Sequence, residues 1–416
     1  MSLLLLLPST SYKALDFLNA AQKLNLQTVV ASNGRQTLEG LVPGHLITLD
    51  FLDIAHSTEK VVAFSKRFPL SAVVSTDDEG MLLAAAISKA LSLPHNPVSA
   101  IAATCDKARL RERLAAAQVS SPTFQCFSTD QLPGPSALQI AYPVVLKPTR
   151  LSGSQGVIRA NNPEEFSKAF HRIKVLFKDP EVIRKYRKSP NEILVEAYIP
   201  GREVSFEGLL QSGELRRLAL FDKPDPLEGP YFEETLYVSP SRLSSSAQDK
   251  IFETVMRGIQ ALGLEEGPIH AELRLGLEAP SIIEMAARTI GGRCSRSLEF
   301  ACGYSLEEMI LRNALGLPIE SFLRCEEAVG VMMIPIPRRG VLTGIRGKDE
   351  AENVRGITSI EISAYRSQEM IPLPEGRSYF GFIFAKGETP DAVEKSLRKA
   401  HQTLRIDMEP SSGESG

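Results

Sequence analysis

Over the first hundred residues short apolar runs alternate with amphipathic segments, and no other feature of this chain limits its fold so strongly. Leu3–Leu7, Thr28–Ala31, Leu46–Leu49 and Ala72–Ser75 read as buried strands, while Tyr12–Leu24, Thr58–Phe68 and Glu79–Leu91 carry apolar residues at helical spacing. Strands apolar on both faces and separated by helices form parallel sheets with crossover helices. The pattern predicts an α/β, Rossmann-like domain over residues 1–98, closed by Leu93-Pro94-His95-Asn96-Pro97. The run Leu3–Leu7 reads as its first strand rather than a secretory leader. No basic residue precedes it, and Pro8-Ser9-Thr10-Ser11 follows with no small-residue cleavage pattern.

From Ser99 the texture becomes α+β. A helix carrying Lys107 and Arg111 leads to a strand Pro143–Lys147, a loop Ser152–Gly156 and a charged helix Glu164–Lys178. The basic stretch Arg184–Lys188 reads as a solvated surface element. Strands are expected at Glu192–Tyr198, Arg202–Leu210, Glu214–Phe221, His270–Leu275 and Ser281–Met285, which completes a central domain over 99–318. A smaller α+β region, 319–409, follows Leu317-Pro318, with strands Val329–Ile334, Gly356–Ile362 and Tyr379–Ala385 and a helix Asp391–Leu404. Pro410–Gly416 has nothing to bury and is expected to be disordered.

A net charge of −3 with no long basic run gives no electrostatic ground for a nucleic-acid or membrane-surface partner, so anionic substrates must meet local cations. No apolar stretch approaches the roughly 20 residues of a membrane span. Cys105, Cys126, Cys294, Cys302 and Cys325 are scattered without CxxC spacing. A reduced, cytoplasmic protein with no zinc site and with its cysteines in the core is the expectation.

Three stretches carry chemistry. In the first, Ile269-His270-Ala271-Glu272-Leu273-Arg274 and Glu284-Met285-Ala286-Ala287-Arg288 flank a turn at Gly276–Pro280. If that turn centres on Glu278, Glu272 lies across from Glu284 with Cβ atoms about 4.5–5.5 Å apart. Two carboxylates so placed repel unless one is protonated or a cation lies between them, and Mg²⁺ suits such oxygen ligands. Arg288, just beyond, is placed to face a charged transition state. In the second, Val144-Val145-Leu146-Lys147-Pro148 delivers a lysine at a strand end, and Ser152-Gly153-Ser154-Gln155-Gly156 offers backbone N–H groups for phosphates. No GK[ST] ending follows, so it is not a P-loop. In the third, Glu196-Ala197-Tyr198-Ile199-Pro200-Gly201-Arg202-Glu203 is a hinge that can present backbone groups to an adenine edge, with Glu203 accepting from ribose hydroxyls.

In this order and spacing the chain resembles the ATP-grasp superfamily from about residue 2 to about residue 405. The matches are Cys105-Asp106-Lys107 with Arg111, Leu146-Lys147-Pro148, the Ser152–Gly156 loop, Glu196 with Glu203, and Glu272 with Glu284. The Ile290-Gly291-Gly292 tail after Arg288, and the third region with Pro335-Ile336-Pro337, look most like the L-amino-acid ligase branch. The resemblance implies ATP and Mg²⁺ (Mn²⁺ as the alternative) and a carboxylic acid and an amine, amino acids by preference, joined through an acyl phosphate. Lys107, Lys147, residues 152–156, Glu196, Ala197, Tyr198, Ile199 and Glu203 would hold the nucleotide, and Glu272 and Glu284 the metal. Arg288 would hold the acyl phosphate, with Glu234, Gly291 and Gly292 at the substrate. Homodimers are common among similar enzymes. Where the family usually has asparagine two residues after the second metal glutamate, this chain has Ala286. The proline-rich segment Asp222–Pro240 reads as a mobile cover, with Tyr237 where relatives often show histidine. A carboxylase or nucleotide-biosynthesis enzyme of the same fold, or a non-catalytic ATP-binding module, are the rival readings.

Overall fold

The computed structural model describes every residue except 10, 35–44, 135–136, 187–190, 277–278, 377 and 412–416, and omits the side chains of 185–186. Strands β1 (Ser2–Leu6), β2 (Gln27–Ser32), β3 (His45–Thr48) and β4 (Ala72–Ser75) form a parallel sheet in the order β3-β2-β1-β4. Helix α1 (Ala14–Lys23) connects β1 to β2, α2 (Ile54–Ser65) connects β3 to β4, and α3 (Asp78–Ala90) follows β4. β1 shows why its sequence is unbroken leucine. Leu3 and Leu5 enter one core with Phe17 of α1, while Leu4 and Leu6 enter another with Val61 and Leu83 of α2 and α3. The order reverses between β1 and β4, so the loops after these two strands open a crevice at the sheet's carboxyl edge.

Helices α4 (Val98–Thr104) and α5 (Lys107–Ala116) lead to the small lobe. Asp106 caps α5 by accepting from Ala108 N–H at 3.1 Å, which sets Lys107 in the helix's first turn. The lobe has an antiparallel sheet of β5 (Phe124–Ser128), β6 (Val144–Pro148), β7 (Ile158–Ala160) and β8 (Glu192–Ala197), ordered β5-β8-β6-β7. It is backed by α6 (Pro163–Leu176), with α7 (Pro180–Tyr186) following. The basic stretch at 184–188 lies mostly outside the described residues, as do the hairpin tip at Glu278 and most of the tail at 410–416.

The largest sheet is antiparallel and eight-stranded. It draws on β9 (Arg202–Gln211), β10 (Glu214–Lys223), β11 (Leu236–Ser239), β12 (Gly267–Leu275) and β13 (Pro280–Ala286), with α8 (Ser245–Leu262) packed against β13. After α9 (Leu306–Ala314) the chain adds β14 (Ala328–Ile334) to it. Then come β15 (Gly340–Arg346), α10 (Lys348–Glu352), β16 (Ile357–Ile362), β17 (Glu369–Met370), β18 (Gly381–Gly387), α11 (Pro390–Thr403) and β19 (Arg405–Glu409). The order β13-β12-β9-β10-β11-β14-β18-β16 runs straight across residue 318, so the third region adds three strands to the central sheet. Among the described residues, β17-β15-β19 makes a separate sheet there.

Two expectations need correction. The cover is shorter than 222–240, because β10 continues through Lys223 and Leu236–Ser239 is a buried strand, leaving 224–235 as the connection. The cysteines are not all core residues either. Cys294 is buried, but Cys126 is exposed because β5 is an edge strand whose alternate side chains face solvent.

Candidate active site

Between the small lobe and the large sheet lies a cleft that is open to solvent. Its walls include Lys107, Lys147, Ser152, Ser154, Glu196, Ala197, Tyr198, Ile199, Glu203, Glu234, Glu272 and Glu284. Twelve expected site residues from five stretches of sequence therefore meet at one place. Gly153, Gln155, Gly156, Arg288, Gly291 and Gly292 do not line it.

The floor is built by strand parity. Glu203 on β9 stands opposite Lys223 on β10 and Arg274 on β12, so three charged residues form one row across three strands. Lys223 is buried, with Nζ 2.7 Å from Glu203, 2.6 Å from Glu234 and 3.0 Å from Glu272. Burial pulls its pKa down, but the three carboxylates outweigh that and hold it well above the ordinary lysine value. Two residues back on β12, buried His270 shares Nδ1 with Glu207 at 2.5 Å and lies 3.5 Å from Glu272. Glu234 is therefore no solvated loop acid: burial first, then Glu272, pushes its carboxyl up to about 7 despite Lys223. Tyr237 packs its ring 5.0 Å from the same ammonium.

Glu272 and Glu284 do face each other across the β12–β13 hairpin. A bulge brings them there: Leu273 pairs with Ile282, so Ile283 is the extra residue. Each carboxylate has its own cations, Lys223 and His270 for Glu272, and Lys107 (3.7 Å) and Arg288 (3.9 Å) for Glu284. The donor set is hard oxygen: Glu203, Glu234 and Glu272 enclose the Lys223 ammonium, while Glu272 and Glu284 both border the cavity. Such ligands fit a divalent cation of the Mg²⁺ kind.

On the opposite wall Glu196 is buried and commits both carboxylate oxygens to protein. Arg111 Nε lies at 2.6 Å and Lys147 Nζ at 2.5 Å. Burial lowers the Lys147 pKa and Glu196 only partly restores it. The side chain of Glu196 is thus a counter-ion, and the hinge faces the cavity through its backbone. Ala197 and Tyr198 N–H donate to the Thr123 and Pro143 carbonyls, whereas among the described residues no carbonyl takes the Ile199 N–H. Val145, Val157, Leu227, Phe232 and Tyr198 form an apolar cluster that lines the cavity beside it. Arg288 does not line the cavity but reaches its edge at Glu284, with Nε 2.8 Å from Asp78 at the start of α3, and Gly292 N–H donates to the Tyr12 hydroxyl at 3.0 Å. Of the candidate substrate residues, Arg288 and Gly292 thus border the first domain, whereas Glu234 lines the cavity.

Sequence reasoning missed Lys223, Arg274, His270, Asp78, Leu227 and Phe232. A signal existed for two of them: His270 and Arg274 sit two residues either side of Glu272, hence on its face of the strand. Lys223 had only its place at the end of an apolar strand, and Asp78 belongs to a different domain.

Three family models match the chain: an ATP-grasp N-terminal domain over residues 18–95, an ATP-grasp domain over 140–297, and the L-amino acid ligase C-terminal domain 2 over 332–409. The protein belongs to the ATP-grasp superfamily. Its last domain makes it, more narrowly, most like the L-amino acid ligase branch. The chain is 25% identical to alanine–anticapsin ligase of Bacillus subtilis over 61% of its length and 56% of that protein's. It is 27% identical to dapdiamide A synthase of Enterobacter agglomerans, over 59% of its length and 57% of that protein's. It therefore spans just over half the length of these two relatives. The crystal structure of an L-amino acid ligase from Bacillus licheniformis shares its fold, with a TM-score of 0.83, 23% identity and 98% of each chain covered.

Proposed function

We propose that this protein is an ATP-dependent carboxylate–amine ligase that joins two amino acids, releasing ADP and phosphate. The observation that carries the reading is the meeting of Lys107, Lys147, Glu272 and Glu284 around one cavity that also has a backbone hinge and an apolar cluster. That arrangement suits a nucleoside triphosphate with its base at Ile199 and its phosphates between the lysines. Glu272 and Glu284 would hold Mg²⁺ or Mn²⁺, which when bound neutralises charge on the phosphates.

In the reaction a carboxylate oxygen of the first substrate attacks the γ-phosphorus and ADP leaves. The nitrogen of the second substrate then attacks the acyl carbon, loses a proton and expels phosphate. Lys107 and Lys147 stabilise charge developing on the transferred group, and the N–H groups of residues 152–154 orient it. Arg288 holds the acyl phosphate, and the 224–235 cover keeps water from it, since an acyl phosphate hydrolyses readily. Amino acids are favoured as substrates because the last segment matches an L-amino acid ligase domain and one similar protein is named a ligase of alanine.

The test is phosphate release with ATP and Mg²⁺ over all pairs of the common amino acids, with mass detection of the dipeptide. Release that tracks a particular pair, with a matching condensation product, supports the reading. Release stimulated by bicarbonate alone, or ATP binding without ADP under every pair, would replace it with a carboxylase or a binding module.

A further inference from the structure

The loop at 152–156 is tied to a distant part of the chain. Gly156 N–H donates to the Pro374 carbonyl at 2.8 Å, and Gln155 Nε2 donates to the Glu375 carbonyl at 2.8 Å. Both acceptors lie between β17 and β18, in the region that completes the large sheet. Arg172, on the α6 helix behind the small lobe, grips the Glu375 carboxylate with two nitrogens, Nη2 to Oε2 at 2.9 Å and Nε to Oε1. Its third nitrogen, Nη1, donates to the Tyr231 hydroxyl in the 224–235 cover. Tyr231 in turn bridges to Ile158, and Arg159 N–H donates to the Pro230 carbonyl at 2.9 Å. One corner thus joins the loop, the small lobe, the cover and the third region. The loop has little room to shift there: Gly156 adopts φ +74°, and a Cβ on it would lie 2.7 Å from Pro148 Cγ.

We propose that the turn at 374–375 is a latch for the phosphate loop, and that Arg172 and Glu375 are positioning residues setting how firmly the loop closes over ATP. The inference rests on the cavity being the nucleotide site. A loop fixed before ATP arrives has already lost its conformational freedom, so less of the binding free energy goes into ordering it. The side chains of Arg172 and Glu375 are 44% and 38% exposed, so the pair adds modestly to global stability and its loss should leave the fold intact. A bidentate arginine–carboxylate fork nevertheless fixes direction as well as distance, which suits a latch.

The experiment compares Arg172→Ala, Glu375→Gln and the reversed pair Arg172→Glu with Glu375→Arg in the full-length protein. Two readouts are taken: steady-state kinetics in ATP, and hydrogen exchange of the amides at 152–157 without nucleotide. Each single variant should raise KM for ATP roughly three- to tenfold while kcat at saturating ATP stays within about twofold. Exchange at 152–157 should quicken while β9 and β12 keep parental rates. The reversed pair should recover much of both effects, which a general loss of structure would not permit. Parental KM and exchange in Glu375→Gln, or a reversed pair no better than Arg172→Ala, would overturn the latch. Should the parent form no ADP with any substrate pair, the ligase reading falls, and the exchange measurement alone still decides the latch.

Discussion

Arg111→Met tests how the phosphate side of the cavity is held together. The guanidinium is fully buried, donates from Nε to Glu196 at 2.6 Å, and from Nη2 to the carbonyl of Ile283, the bulge residue. Methionine keeps an unbranched apolar stem but leaves Glu196 with one cation instead of two and the carbonyl with no donor. Removing one partner of a buried ion pair costs about 3–5 kcal/mol. Lys147 remains 2.5 Å from the other carboxylate oxygen, which favours the low end. A half-buried carbonyl left without its donor adds about 1–3 kcal/mol at most, and because the two losses share one side chain they overlap, giving about 4 kcal/mol in all. Unfolding of a chain with several domains is not two-state, so the assay is native-state hydrogen exchange in β6 and β8, which reads local opening free energy. In a Glu196→Gln background the ionic part is already gone, and the same substitution should cost only about 1–3 kcal/mol. Acid should tell the same story. Burial pushes the Glu196 pKa up, but Arg111 and Lys147 hold it below its ordinary value of 4.5. Its contribution is therefore present above pH 4.5 and lost as pH falls through the lower folded value. Arg111→Met should shift the acid transition to higher pH. A loss under about 1 kcal/mol, or an equal loss with and without the Glu196 charge, would refute the counter-ion argument.

Glu284→Ala should abolish phosphate release at saturating Mg²⁺ while circular dichroism stays parental, and similar release from both proteins would remove this glutamate from the metal site. Lys107→Met and Lys147→Met should each weaken ATP roughly ten- to hundredfold by calorimetry, since a charge-assisted phosphate contact is worth about 1.5–3 kcal/mol. Unchanged affinity in both would argue against a phosphate site between them. Arg288→Lys keeps the charge but not the planar fork, so ATP affinity should be near parental while turnover falls about a hundredfold or more. In the parent, hydroxylamine with ATP and the correct acid should trap a hydroxamate, and AMP in place of ADP would point to an adenylate instead.

Much of this fold was legible because its signals are local. The leucines of β1 had to be buried on both faces, and the spacing of Glu272 and Glu284 placed them across a hairpin. Even there the register depended on a bulge at Ile283 that no pattern in the hairpin announced. What stayed hidden depends on contacts between distant elements. Lys223 acquires its meaning only when β10 lies beside β9 and three carboxylates converge on it. Asp78 meets Arg288 across a domain boundary, and Glu375 reaches a loop 220 residues away. The limit at 318 followed a real change in texture, but hydrogen bonding between strands does not follow composition.

That continuity matters while the chain is being made. β11 touches β10 at a single register position, Asp222 with Val238, but pairs with β14 along its whole length, Leu236 with Met332 through Ser239 with Val329. All four of its residues are buried in the finished protein. On a ribosome adding about 5–20 residues per second, roughly 90 residues and some 5–20 seconds separate this strand from its partner's arrival. For that interval an apolar edge is open to any other nascent strand, and a chain cut at 318 would keep it open for good.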